Sequence, residues 1–177
     1  LLRTAIGLQN APPNSVVIAL SLFLTGFVMA PTFVASYEAG IQPYMAEAIT
    51  LEEAIPRALG PVQQFMGAHA NEADVALFAG MAQIDNLQSA ADAPFHVLAP
   101  AFMISELKRA FEIGFMVFLP FLVIDLVVSS ILMAMGMMML PPVTISLPFK
   151  LIFFVLVDGW RLLSGSLVES FMNVPPS

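Results

Sequence analysis

Three apolar segments, separated by polar stretches, dominate the pattern of this sequence. The first covers residues 16–34, the second runs from Ile113 to Leu140, and the third begins at Ser146 and continues to Val157. The second segment is 28 residues long and contains one charged residue, Asp125. A helix of that length reaches roughly 42 Å, which exceeds the bilayer's hydrocarbon core of about 30 Å. The pattern therefore predicts helices associated with a membrane.

The same pattern predicts an all-α fold, with membrane-associated helical hairpins and a small polar helical domain inserted between the first and second apolar helices. We expect a loop over residues 1–15, an apolar helix over 16–34 and an acidic helical domain over 35–104. A long apolar helix over 105–140 follows, and then a Pro-Pro turn with a final apolar helix over 141–177. The last apolar segment is short for a lipid-exposed span, so we expect it to be buried in protein.

Local signals place several helix starts. Thr50 and Glu53 fit a capping box, and Asn71 is positioned to begin a further helix. Ser105 is expected to cap the long apolar helix. The charged residues after Ser105 are spaced to pair along one helical turn: Glu106 with Arg109, and Lys108 with Glu112.

Composition supports a membrane protein rather than an ordinary soluble domain. Hydrophobic residues make up 59% of the 177 residues and charged residues 11%, against roughly 45–50% and about 25% in soluble domains. One core of this size cannot bury so much apolar surface, so the surplus is expected to face lipid or other subunits. The chain has no cysteine, which excludes disulfides.

The net charge of −7 is concentrated in the middle of the chain. Between residues 34 and 98 the only base is Arg57, against these acids: Glu38, Glu47, Glu52, Glu53, Glu72, Asp74, Asp85 and Asp92. The chain has no basic patch that could neutralise phosphates, so a nucleic-acid partner is disfavoured. A stretch almost free of Lys and Arg between hydrophobic segments also indicates the side away from the cytoplasm.

The residues suited to catalysis are few, and we expect no enzymatic activity, cofactor or metal. His69 and His96 are the only histidines and lack the spacing of metal ligands. Glu52 and Glu53 are adjacent, so on a helix their side chains point in different directions. No phosphate-binding or nucleophile motif occurs.

Four charged residues lie in or beside the apolar helices: Asp125, Lys150, Asp158 and Arg161. A charge at the centre of a membrane helix costs roughly 2.5–3.5 kcal/mol, so these groups need partners. On one continuous helix, Lys150, Asp158 and Arg161 would share a face. We expect pairing between helices or between subunits. The alternative is a local Asp158–Arg161 pair near a water interface.

Methionines are concentrated at the end of the second apolar segment: Met133, Met135, Met137, Met138 and Met139. Methionine often fills gaps in a core, but three consecutive residues on a helix point in different directions. Gly136, Pro141 and Pro142 are expected to form the turn of a hairpin here. Met137, Met138 and Met139 would then form a soft, polarizable collar, which we interpret as the gasket of a pore.

From residue 100 to about residue 171 the chain closely resembles the flagellar biosynthetic protein FliP family, whose virulence counterpart is the R-type export protein of type III secretion. The resemblance is carried by Ile104–Lys108, Ile113–Phe115, Phe118–Leu122, Ile124–Val128, Met135–Pro142, Ser146–Lys150 and Val157–Trp160. Residues 34–99 match more loosely. The family also carries a signal peptide and one more hydrophobic helix, so residues 1–15 are expected to follow a first helix missing from this sequence.

The resemblance implies a non-enzymatic, pore-forming subunit of the export gate in the flagellar basal body. Several copies, five in the family, would form a ring with the Q-type and R-type subunits in the bacterial inner membrane. Unfolded flagellar proteins would leave through it, with the acidic domain on the periplasmic side. Two alternatives remain at this point: a small-molecule or ion transporter that uses Asp125 and Lys150, and a membrane subunit that acts only as a scaffold.

Overall fold

A computed structural model describes residues 2–8, 10–84, 87, 89–137 and 139–172, and it confirms the all-α prediction. Over these residues it contains helices and no strand. The helices are α1 (Leu2–Ile6), α2 (Asn14–Ser36), α3 (Gln42–Met45), α4 (Leu51–His69), α5 (Glu72–Met81), α6 (Phe95–Ala134), α7 (Pro142–Leu156) and α8 (Gly159–Met172). A π-helical turn, Tyr37–Ile41, joins α2 to α3, and a short 3₁₀ turn covers Ala90–Asp92.

Several boundaries differ from the sequence expectations. The stretch expected to be a loop contains α1, and α6 begins at Phe95 and ends at Ala134 rather than covering 105–140. The last apolar segment is two helices, α7 and α8, bent by 60° at a short break. Asp158 lies in this break with a φ of +50°, which a continuing right-handed helix does not allow.

Two helical stretches are long and apolar enough to cross a membrane. One is the continuous run Asn14–Met45, of 32 residues, and the other is α6, of 40 residues. At 1.5 Å per residue these reach about 48 Å and about 60 Å, well beyond a hydrocarbon core of about 30 Å. The bent pair α7–α8 provides up to one further span by the same criteria of length and composition.

The chain divides into two compact units. Unit 1 comprises residues 2–22 and 110–170 of the described chain, and unit 2 comprises residues 23–109 with 171–172. The core of unit 1 joins α1 to the α6–α7 pair: Ala5 and Ile6 pack with Phe121 and Phe154, all of them buried. Phe121 also meets the ring of Phe153 edge-on, with centroids 5.8 Å apart. Aromatic contacts of this kind fix the position of one helix on the other.

Unit 2 has its own core, built from α4, α5 and the first turns of α6. Its buried residues are Met66, Val75, Ala79, Ala93, Val97, Leu98 and Ala101. The capping signals read from the sequence are present: Glu53 accepts a hydrogen bond from the Thr50 backbone N–H at 3.4 Å, and the Asn71 side chain accepts one from Ala73 at 2.9 Å. Most of the acidic residues of the chain lie in this unit.

Within unit 2 the π-helical turn crosses α4 at Gly40, where the two backbones come very close. A Cβ built at Gly40 would lie 2.5 Å from the carbonyl oxygen of Ala54 and 2.7 Å from the Cβ of Ala58. The first of these atoms is backbone, so it cannot rotate away as a flexible side chain could. Position 40 therefore requires glycine for this crossing.

Gly40→Ala is expected to destabilise unit 2 by about 1–3 kcal/mol, the usual cost of adding a methyl group to a closely packed contact. The matched control is Gly60→Ala in α4, where nothing lies within 4 Å of the added Cβ. That control should be stabilising by about 0.5–1 kcal/mol because alanine favours a helix interior. Thermal unfolding in detergent measures both, and equal effects of the two changes would contradict the close crossing.

Candidate functional site: a charge cluster and a methionine turn

A buried ion pair joins α6 to α7 in unit 1. Lys150 is 2% exposed, and its Nζ lies 2.5 Å from Oδ2 of Asp125, whose side chain is 30% exposed. Asp125 faces Lys150 while Phe121, one turn earlier, faces Phe154, one turn later. The contacts therefore advance along α6 as they go back along α7. The two helices form an antiparallel hairpin. The lysine charge is neutralised within the chain, as a buried charge requires.

Ser146 completes this cluster and was not identified from the sequence. It is fully buried and donates its hydroxyl to Oδ1 of Asp125 at 2.5 Å. Both carboxylate oxygens of Asp125 are thus engaged, one by the hydroxyl and one by the ammonium. The signal was available in the sequence, because Ser146 precedes Lys150 by four residues and so occupies the same helical face.

Asp158 and Arg161 lie apart from this cluster. The expectation that they share a face with Lys150 was wrong, because it assumed one continuous helix and α7 ends at Leu156. Both side chains are exposed, and neither forms an ion pair with any residue that the structure describes. Pairing of Asp158 and Arg161 with other subunits stays a prediction.

The turn between α6 and α7 is closed by Gly136. Its φ is +71°, and its N–H donates to the Met133 carbonyl at 3.1 Å while the Met137 N–H donates to Leu132 at 3.0 Å. These two bonds are those of a Schellman motif, which ends a helix at a glycine in the left-handed region. Pro141 precedes the first residue of α7, and Pro142 is that residue, where its missing N–H costs nothing.

The methionines of this turn are exposed rather than packed in the core. The exposed fraction is 40% for Met137 and 98% for Met139, and Met133 and Met135 are similarly open. Met138 lies outside the described residues. Between Gly136 and Pro142, the thioethers of Met137 and Met139 therefore lie on a short segment anchored at both ends.

A second polar cluster lies in unit 2, where α5 meets α6. Lys108 Nζ lies 2.5 Å from Asp74 Oδ1, and Ser105 donates its hydroxyl to Asp74 Oδ2 at 2.9 Å. The hydrogen bond from Lys108 holds the pKa of Asp74 below its usual range, against the opposing effect of burial. The expected Glu106–Arg109 pair is present at 2.7 Å.

Two local expectations in this cluster were wrong. Ser105 does not cap a helix, since α6 already runs through it, and Lys108 pairs with Asp74 of α5 rather than with Glu112. The physical reason is tertiary: a buried carboxylate on α5 is a better partner for Lys108 than an exposed one on its own helix. Across the described ranges, no three His, Cys, Asp or Glu side chains converge as metal ligands.

Comparison with known proteins agrees with these features. Residues 1–167 match the model of the FliP family. The flagellar biosynthetic protein FliP of Caulobacter vibrioides is 65% identical over 173 residues, which are 98% of this chain and 65% of that protein. FliP of Pectobacterium carotovorum is 56% identical over 98% of this chain and 67% of that protein.

FliP of Bacillus subtilis is 54% identical over 96% of this chain and 76% of that protein. The chain thus spans about two thirds to three quarters of the length of these three relatives. The match covers both units, including the α6–α7 hairpin with its charge cluster and methionine turn. The chain belongs to the FliP family of flagellar biosynthetic proteins.

Proposed function

We propose that this chain is a pore-forming part of the flagellar protein export gate, through which unfolded flagellar proteins cross the bacterial inner membrane. The observation that carries the proposal is the exposed methionine turn at the end of a largely apolar hairpin. A segment with flexible thioethers on a fixed base suits a seal around a chain of changing shape. Family membership supports the flagellar assignment.

In this proposal several copies form a ring, five by analogy with the family, together with the Q-type and R-type subunits of the gate. The apolar surface of the two long helices supports both lipid and subunit contacts, because nearly all of it is exposed in the single chain. Asp158 and Arg161 are exposed at the break between α7 and α8, where they are available to pair with neighbouring subunits.

We further propose that the acidic unit lies on the periplasmic side of the inner membrane, in the flagellar basal body. The supporting observation is the near absence of Lys and Arg from residues 34–98, since cytoplasmic segments beside membrane helices are enriched in these residues. The protein would act without an enzymatic step and without a cofactor or a nucleic-acid partner.

The charge cluster argues against the alternative of a small-molecule or ion transporter. A transport site must exchange its ligand, whereas the Asp125 carboxylate is engaged on both oxygens by Lys150 and Ser146. The cluster therefore supports a structural role in fastening α6 to α7. A subunit that acts only as a scaffold would have no need for four exposed methionines at the hairpin turn.

Native mass measurement of the complex extracted in mild detergent tests the proposal. We expect a multi-copy assembly that also contains the other gate subunits. A stable, well-folded single copy without higher species would contradict the ring and favour the transporter. Secretion of flagellar proteins from cells that make the same tagged protein shows that the assembly measured is the working one.

A further inference from the structure

The buried histidine of unit 2, His69, has an acceptor at each of its ring nitrogens. It is the last residue of α4 and is 7% exposed. Its Nδ1 lies 2.7 Å from the carbonyl oxygen of Phe65, and its Nε2 lies 3.1 Å from the carbonyl oxygen of Phe171 near the end of α8. The ring is also packed against the rings of Phe65 and Phe171, with centroids 4.3 and 5.4 Å away.

This arrangement suits one protonation state. A neutral imidazole carries one N–H and one lone pair, whereas the imidazolium carries two N–H groups. Carbonyl oxygens only accept, so only the imidazolium can donate to both Phe65 and Phe171. In the neutral form a nitrogen lone pair faces a carbonyl oxygen in a buried site, where an unsatisfied acceptor is unfavourable.

The bond lost on deprotonation is the one to Phe171. The contact with Phe65 is shorter and lies within one helical turn of α4, so it persists at little entropic cost. The contact with Phe171 joins residues 102 positions apart. Loss of the proton therefore weakens the attachment of Phe171 to α4.

Charged groups of both signs lie near His69: a cation opposes its positive form and an acid favours it. From α6, Arg109 donates to the His69 carbonyl at 3.3 Å and lies 5.6 Å from the centroid of the Phe171 ring. Glu106 pairs with Arg109 at 2.7 Å and lies within electrostatic reach of His69. On α5 the acids are Glu72 and Asp74, the latter bound to Lys108, and the titratable residues of α8 are Arg161 and Glu169.

We propose that His69 is a proton-dependent clamp that holds Phe171, at the end of the last helix, against α4. The clamp is closed when the imidazole carries both N–H groups, and it loosens when one of them is lost as pH rises. This inference concerns unit 2 alone and does not depend on the pore proposal.

Hydrogen–deuterium exchange of the full chain in detergent tests the clamp. Exchange of the backbone amides of Phe171 and Met172, in the last turn of α8, is measured at pH 5.5 and 8.0 and corrected for the intrinsic pH dependence of exchange. Protection should be about tenfold greater at pH 5.5, which corresponds to one charge-assisted hydrogen bond. Equal protection at the two pH values would overturn the proposal.

Two further measurements separate the clamp from a general effect of pH. In His69→Gln the pH dependence should disappear, while in His96→Gln, which alters the exposed second histidine, it should remain tenfold. If His69→Gln keeps the pH dependence, the clamp is not at His69.

The imidazole ¹⁵N shifts of the unmodified protein provide an independent test, which does not depend on whether the His69→Gln variant folds. Both ring nitrogens of His69 must be protonated at pH 5.5, and a single protonated nitrogen rules the clamp out.

Discussion

Lys150→Met is expected to abolish assembly of the gate. The change removes the ammonium from a site that is 2% exposed and leaves the Asp125 carboxylate beside it with only the Ser146 hydroxyl as a partner. Breaking a buried pair on one side typically costs about 3–5 kcal/mol, because the remaining charge is uncompensated. That cost falls on the contact between α6 and α7, so the hairpin should fail to form before any subunit can join. The measurement is the share of the protein found in the high-mass complex on native gels.

A double variant distinguishes the loss of the charge pair from the change of side-chain volume at position 150. Adding Asp125→Asn to Lys150→Met removes the orphaned charge and keeps an oxygen that can accept from Ser146, so much of the assembly should return. Arg57→Met makes a comparable chemical change at an exposed position of α4 and should leave assembly unchanged. Normal assembly of the Lys150→Met single variant would show that the pair is dispensable.

Replacing Met137, Met138 and Met139 together by alanine should leave the complex assembled but permeable to small ions. Met137 and Met139 are exposed, and the ends of the turn are held by the Schellman motif and by Pro142, so replacing these two residues does not remove core contacts. Alanine lacks the length and flexibility with which methionine fills an irregular gap, and every copy in the proposed ring would repeat the deficit. Export should be retained or altered rather than lost. Conductance across membranes that carry the complex is the measurement.

The matched control removes three exposed methionines elsewhere. Met45, Met81 and Met103 are 64–70% exposed and lie outside the α6–α7 turn. Their triple replacement by alanine should leave the membrane tight. If the variant of Met137–Met139 is impermeable to ions, or if the control variant leaks equally, the pore-gasket role is contradicted. These methionines would then have an ordinary packing role.

The elements that depend on local chemistry could be predicted from the sequence. The caps at Thr50 and Asn71 and the Glu106–Arg109 pair need only neighbours a few residues away. The start of α6 could not be predicted, since charged residues within it suggested a boundary. In the fold Lys108 of this stretch is satisfied by Asp74, which is 34 positions away.

The break between α7 and α8 shows the same limit. Asp158, and not the neighbouring Gly159, adopts the left-handed conformation there. Glycine is required at 159 for a different reason: a Cβ there would lie 2.2 Å from the Phe154 ring. At the candidate site, the partner of Lys150 was among the expected acids, but choosing between Asp125 and Asp158 required knowing where α7 ends.

The Schellman motif at Gly136 has a mechanical consequence for a seal of the proposed kind. It holds one end of the methionine segment, and Pro142 holds the other, so five residues, 137–141, connect two fixed points. A passing polypeptide could push this segment aside only as far as its contour allows, roughly 20 Å when fully extended. Stretching it removes conformational freedom, and the segment regains that freedom by moving back. In the proposed pore this tether would act as an entropic spring, and the gate would reseal behind each substrate without a separate closing step.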